Sequence, residues 1–317
     1  MENYLTNNIE NNKINKNYFL NDKPIFCNIF KPFLYKPIKI GNLQNLDQTI
    51  LFSKNFIFYS FNNKKFTKFL QKSLINASNG IINYIVTELK GNFRDVIKNI
   101  NGNYFCSNLI NVCGKNNRIK ILNELSNKLN EYSIDKFANH PIQSLIELAS
   151  TEDEFKLILA SFNEYKKILI ASLNHNGTYV IQKIIRHIPE SLRKKFNSIF
   201  VKLVSILSID IYGVFSLEIF IIYTKDEIIR TQTFNIIMKD FITISTNKVG
   251  NYVIQILLLK WLDSKNGELL KKLIKSNFSI LSTNIYSVYI CQLYDKLYKN
   301  NEENEFCSSL NTQKNFL

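Results

Sequence analysis

Asn247-Lys-Val-Gly-Asn-Tyr-Val-Ile-Gln-Ile-Leu-Leu258 has a near-copy upstream, Asn174-His-Asn-Gly-Thr-Tyr-Val-Ile-Gln-Lys-Ile-Ile185. Both contain Gly-x-Tyr-Val-Ile-Gln followed by an apolar run. A short phrase that recurs in this way marks one unit of an array. The same frame of small, any, aromatic or long, apolar, apolar and polar residues is anchored at Phe66, Gly102, Ala138, Gly213 and Ser287. With Gly177 and Gly250, successive anchors lie 36, 36, 39, 36, 37 and 37 residues apart. The spacing predicts an elongated repeat array. Phe66 and Ser287 carry the weakest copies, as outer units of such an array do.

Bulk properties agree with an array. At 317 residues a single globular core would be at its size limit. The 40 Lys and Arg against 26 Asp and Glu leave +14, which favours a polyanionic partner or an anionic surface. Five cysteines, Cys27, Cys106, Cys113, Cys291 and Cys307, form no CxxC pair, so neither a disulfide framework nor a zinc framework is expected. His140, His175 and His187 make no metal-ligand spacing. No cofactor, metal or catalysis is expected, since no nucleophile–base pair and no phosphate loop is present. The apolar run Leu203–Tyr223 contains Asp210 and Glu218, which are costly in lipid. It is read as two buried helices, with no membrane association.

Residues 1–22 are Asn- and Lys-rich and are expected to be disordered, as is the tail 299–317. Residues 23–46 carry Pro24, Pro32 and Pro37 and are expected to be an extended segment or cap. Residues 47–298 are the repeat domain. Apolar residues there recur at three and four spacing, as in EFKLILASF and SIFVKLVSIL, and predict helices. Pro189 is expected in the first turn of one of them.

On a helix, Asn251 and Gln255 lie four apart on one face. Tyr252 is expected beside them on the same exposed edge, with Val253, Ile254, Leu257 and Leu258 in the core. Counting from the residue after each anchor, the first slot holds Thr67, Asn103, Asn139, Thr178, Val214 and Asn251. The second holds Lys68, Tyr104, His140, Tyr179, Phe215, Tyr252 and Tyr289; six of these seven are flat rings. The fifth holds Gln71, Ser107, Gln143, Gln182, Glu218, Gln255 and Gln292, all polar. A merely solvated face would not hold that pattern. Amides match the mixed donor and acceptor edge of a base, and rings stack on base faces.

These residues resemble the Pumilio-homology (PUF) family of RNA-binding repeats, over roughly 47–298, with GNYVIQ and GTYVIQK as the most specific motifs. The resemblance implies an all-α, right-handed α-solenoid crescent of about seven three-helix PUF repeats. It also implies single-stranded RNA on the concave face, running antiparallel to the protein. Asn251/Tyr252/Gln255 and Asn139/His140/Gln143 imply uracil. Glu218 implies guanine, and Thr178/Tyr179/Gln182 uracil or adenine. Together they give U-G-(U/A)-U, with the Ser287 unit as a cap. Several positions depart from the family pattern. Val214 and Phe215 replace polar residues beside Glu218, Ser107 is short, Thr67/Lys68/Gln71 lacks a ring, and no convincing first two repeats precede them. The function implied is a cytoplasmic, monomeric messenger-RNA binder that represses translation or stability through effector proteins on the convex face. A nucleolar ribosomal-RNA factor that binds by shape and charge, and an armadillo- or HEAT-like protein scaffold, are the alternatives.

Overall fold

The computed structural model describes residues 51–261 and 264–298, all within the unit Gln48–Leu317. The segments expected at 1–22, 23–46 and 299–317 lie outside the described residues. Among the described residues every regular element is a helix.

The helices fall into triplets. The first is α1 (Lys54–Ser60), α2 (Lys64–Ile75) and α3 (Asn79–Glu88); the second is α4 (Phe93–Lys98), α5 (Gly102–Val112) and α6 (Lys115–Leu125). The third is α7 (Leu129–Ser133), α8 (Asn139–Leu148) and α9 (Glu152–Ala160), and the fourth α10 (Tyr165–Ser172), α11 (Gly177–His187) and α12 (Glu190–Phe200). Next come α13 (Val204–Leu207), α14 (Gly213–Tyr223) and α15 (Glu227–Lys239), then α16 (Phe241–Ser245), α17 (Gly250–Lys260) and α18 (Lys265–Ser276). The seventh unit contributes α19 (Phe278–Thr283) and a helix α20 over 288–298. The middle helix of each triplet carries the recurring phrase. The middle helices α2, α5, α8, α11, α14 and α17 pack each against the next, and each short first helix from α1 to α16 packs on the middle helix of its own unit. The chain is thus an α-solenoid. Its one long spacing, 39 residues, is taken up in α10, which has eight residues where α7 has five.

Two local expectations are corrected. SIFVKLVSIL is not one helix: α12 ends at Phe200, and a 3-10 turn at Val201–Leu203 leads into α13. The apolar rhythm survives because Phe200, Leu203, Val204 and Leu207 all remain buried across the tightened turn. Pro189 lies at the N-cap of α12 in an extended conformation, one residue before the first turn.

The anchor of the phrase is small for a steric reason. A Cβ built on Gly177 would sit 2.4 Å from the Ala171 carbonyl oxygen, and one on Gly250 would sit 2.5 Å from that of Ile244. The middle helix therefore starts against the carbonyl end of the short helix. In the seventh unit Ser287 solves the same contact differently: its Oγ donates to the Leu281 oxygen at 2.7 Å. Gly177→Ala is expected to lower stability by about 1–3 kcal/mol, the range for forced overpacking, read from the urea midpoint of the full chain.

An Asn or Asp three residues before each anchor directs the turn. Asn99 Oδ1 accepts from the N–H groups of Asn101 and Gly102 at 2.8 and 2.9 Å. Asn174, Asp210, Asn247 and Asn284 repeat this pairing, as does Asp135 toward Phe137 and Ala138. Asn63 accepts from Lys65 N–H in the first unit. These side chains replace the missing acceptors at a helix start.

Among the described residues, neighbouring units are joined by packing and by the buried Arg118–Glu154 ion pair. Phe200 and Phe220 stack with centroids 4.4 Å apart. Arg118 Nε donates to Glu154 Oε1 at 2.8 Å, linking α6 to α9, with Glu154 wholly buried. The guanidinium also reaches the Cys113 carbonyl and the Ser150 hydroxyl. The second Glu154 oxygen accepts from Ser150 N–H and the Thr151 hydroxyl. Thr151 in turn caps α9, its Oγ1 accepting from Glu154 N–H.

Candidate nucleic-acid interface

The side-by-side middle helices bring the second slots of units one to six onto one surface. Tyr104, Tyr179, Phe215, Tyr252 and Tyr289 are each about half exposed (58, 49, 51, 58 and 55 %), although rings of that size normally seek burial. Lys68 and His140 are exposed as well. The rings of Tyr104 and His140, on adjacent helices, are nearly parallel, 17° apart, with centroids separated by 6.4 Å. One intercalated base requires about twice the roughly 3.4 Å stacking rise.

The first slots are placed differently from the expectation of an exposed edge. Thr67, Asn103, Asn139, Thr178 and Asn251 are all 1–2 % exposed, and Val214 is 5 %. Their polar groups serve the fold. Asn251 Nδ2 donates to the carbonyls of Asn247 and Lys248 at 3.0 and 2.9 Å. Asn139 does the same to Asp135 and Lys136, and Asn103 to Asn99 and Ile100. The Thr67 hydroxyl donates to the Ser60 carbonyl. That of Thr178 lies 3.0 Å from the Tyr212 carbonyl and 2.9 Å from Ser216 Oγ in the next unit.

Of the fifth slots Gln292 is exposed, and the other six are half-buried beside the rings. Gln255 Nε2 donates to Asn251 Oδ1 at 2.8 Å, and Gln143 Nε2 to Asn139 Oδ1 at 2.9 Å. Gln182 makes a longer bond of 3.5 Å to Thr178 Oγ1. Each buried Asn thus holds its Gln by one N–H. The other N–H and the Oε1 atom remain available, a donor–acceptor pair that complements the O4 and N3–H of uracil. Ser107 is too short for this latch, and both its Oγ and Asn103 Oδ1 are buried without partners. Val214 offers Glu218 no latch. The half-buried Glu218 carboxylate meets no donor among the described residues.

The turns three residues ahead of the anchors are the feature the sequence reading missed. Their signal was an Asn or Asp at the same offset in all seven units. Among the described residues no group of three metal-binding side chains occurs, and no helix is long and apolar enough to cross a membrane.

Comparison with known proteins gives one picture. The family model for the Pumilio-family RNA binding repeat matches residues 172–195 and 240–260, the units of GTYVIQK and GNYVIQ. Pumilio homolog 12 of Arabidopsis thaliana is 24% identical over 230 residues, covering 71% of this chain and 38% of that protein, so the chain matches well under half of its relative's length. The solved PUF-8 complex with PBE-RNA superposes with a TM-score of 0.72 at 17% identity, covering 84% of this chain and 75% of the other. Yeast Puf5p bound to AAT2 RNA gives 0.68 at 20% identity, covering 80% and 71%. The Puf4 RNA binding domain bound to a 3′ UTR recognition sequence gives 0.68 at 18%, covering 76% and 73%. With its seven-fold phrase and its solenoid of helix triplets, the chain shares the fold of these Pumilio-type structures, and two of its units match the Pumilio-family RNA binding repeat.

Proposed function

We propose that this protein binds single-stranded RNA selectively along its row of middle helices and acts on messenger RNA, lowering translation or stability through recruited proteins. The row of exposed rings, with the held amides of Gln143, Gln182 and Gln255 and the carboxylate of Glu218 beside four of them, carries the reading. Exposed rings alone would also suit a protein partner; the polar fifth slot at one offset from every ring is what favours a base. Stacking supplies sequence-tolerant affinity, and the fifth slots supply selectivity. Gln255 and Gln143 face uracil. Glu218 accepts from the N1–H and N2–H₂ edge of guanine. The preferred RNA therefore contains U-G, with Gln255 on the first base and Glu218 on the second. That the RNA-bound relatives share this fold supports the ligand class. No catalytic step is assigned, and the protein is placed in the cytoplasm as a monomer.

Binding of the full chain to a short RNA containing UGUU or UGAU, compared with the same RNA carrying AC for UG, tests this. A loss of at least tenfold on the change, retained at high salt, is expected, in line with about 1–3 kcal/mol for a mismatched polar contact. Equal binding of both RNAs with a steep salt slope would instead support the ribosomal-RNA reading. No binding of either would leave the protein scaffold.

A further inference from the structure

Beside the ring row runs a second row, four residues upstream of each ring. It consists of Lys64, Ile100, Lys136, His175, Ile211, Lys248 and Ile285. All seven are exposed, the isoleucines at 59, 56 and 71 %. Lys64 opens α2 itself, and the other six stand in the lead-in turn, which is wound like a helical turn: Asn251 N–H donates to the Asn247 carbonyl at 3.3 Å, and Asn103 N–H to that of Asn99 at 3.0 Å. Each member therefore stands about one turn ahead of its ring, on the same side.

Among the described residues no carboxylate neutralises the lysines of this row. Lys128, Lys156, Lys167, Arg193, Arg230 and Lys271 each pair with a carboxylate three or four residues away, on elements other than the middle helices. Lys64, Lys136 and Lys248 pair with no carboxylate among the described residues; Lys136 Nζ lies over the Phe137 ring at 5.4 Å. The two carboxylates in these turns, Asp135 and Asp210, have Oδ1 engaged by backbone N–H groups.

We infer that Lys64, Lys136 and Lys248 each take a backbone phosphate of the strand whose bases stack on the ring row. The units carrying Ile100, Ile211 and Ile285 take none there. This inference rests on the RNA-binding reading and adds an uneven electrostatic register to it. Units one, three and six grip the backbone, and units two and five hold only base and sugar. Exposed isoleucine offers nothing to an anion, while lysine binds phosphate as a point charge. Phosphate contacts set affinity and its salt dependence and carry no sequence information.

The test is the salt dependence of RNA affinity in the full chain, measured with the UG-containing RNA and its AC counterpart. Lys136→Gln with Lys248→Gln is expected to make the slope of log K against log salt shallower by about 1.4, at about 0.7 per phosphate on a single strand. Binding should weaken by the same factor for both RNAs. The converse pair, Ile100→Lys with Ile211→Lys, should steepen the slope by about 1.4. These positions are exposed turns, so the fold is retained in each variant. Wild-type selectivity with slopes unmoved in both pairs overturns the phosphate assignment alone. Absence of RNA binding by the wild type overturns both it and the reading on which it rests.

Discussion

Arg118→Leu is expected to lower the unfolding free energy by about 3–5 kcal/mol, the cost of leaving a buried charge without its partner. Glu154 has no exposure, and its Oε1 would lose the guanidinium donor. The Cys113 carbonyl and the Ser150 hydroxyl would lose donors as well. Urea and thermal unfolding measure the effect. The double variant Arg118→Leu/Glu154→Leu should recover most of the loss, because a well-packed apolar pair of similar volume is often as stable as a buried ion pair. Recovery of less than about 1 kcal/mol would mean that the pair adds net stability. The same contact predicts a pH response. Burial alone would raise the Glu154 pKa. Hydrogen bonds from Arg118, Ser150 N–H and the Thr151 hydroxyl outweigh it and hold the carboxyl below its ordinary value. Its stabilisation is therefore complete above the unfolded-state carboxylate value and disappears as pH falls through the lower folded-state value. The double variant should lose less stability in acid than the wild type. An identical acid profile in both proteins would count against Glu154 as the responsible group.

Tyr252→Ala with Gln255→Ala is expected to weaken RNA binding by about 2–5 kcal/mol. About 1–3 comes from lost stacking, and the rest from the lost base-edge pair. A second arm separates binding from folding. Gln255→Ala strands Asn251 Oδ1, which is buried, at a cost of about 1–3 kcal/mol in stability. Tyr252 is more than half exposed, so Tyr252→Ala alone should leave the melting temperature within a degree or two while still weakening binding. RNA affinity unchanged in the single variant, measured on folded protein, would remove the ring row from the interface.

Most of the architecture could be read from the phrase, because a repeat imposes its period on every level above it. The anchor positions and the exposure of the rings follow from that period; it left two or three helices per unit open, and three was what the family resemblance implied. The depth of the first slot did not. Position on a helical wheel places Asn251 beside Gln255, but it does not show that the lead-in turn wraps over the Asn amide and uses both donors. Asn and Gln look equivalent in sequence, yet one completes a backbone turn while the other meets solvent. The lead-in Asn and Asp residues were legible in principle, at one offset in all seven units. They were missed because a polar residue in a loop attracts no attention until its acceptor has a visible partner. The division of SIFVKLVSIL into two helices was hidden for another reason. A 3-10 turn preserves the burial rhythm while it redirects the chain.

The latch between the buried Asn and the surface Gln also constrains how these proteins can change over generations. A substitution at the surface slot leaves a buried oxygen stranded, and a substitution at the buried slot leaves the surface amide unaimed. Neither position can drift freely without the other. The second unit, where Asn103 faces Ser107, is a pair caught out of step. New base preferences along this array should therefore arise as paired replacements within a unit, so that the alphabet of workable combinations is much smaller than the product of the residues allowed at each slot alone.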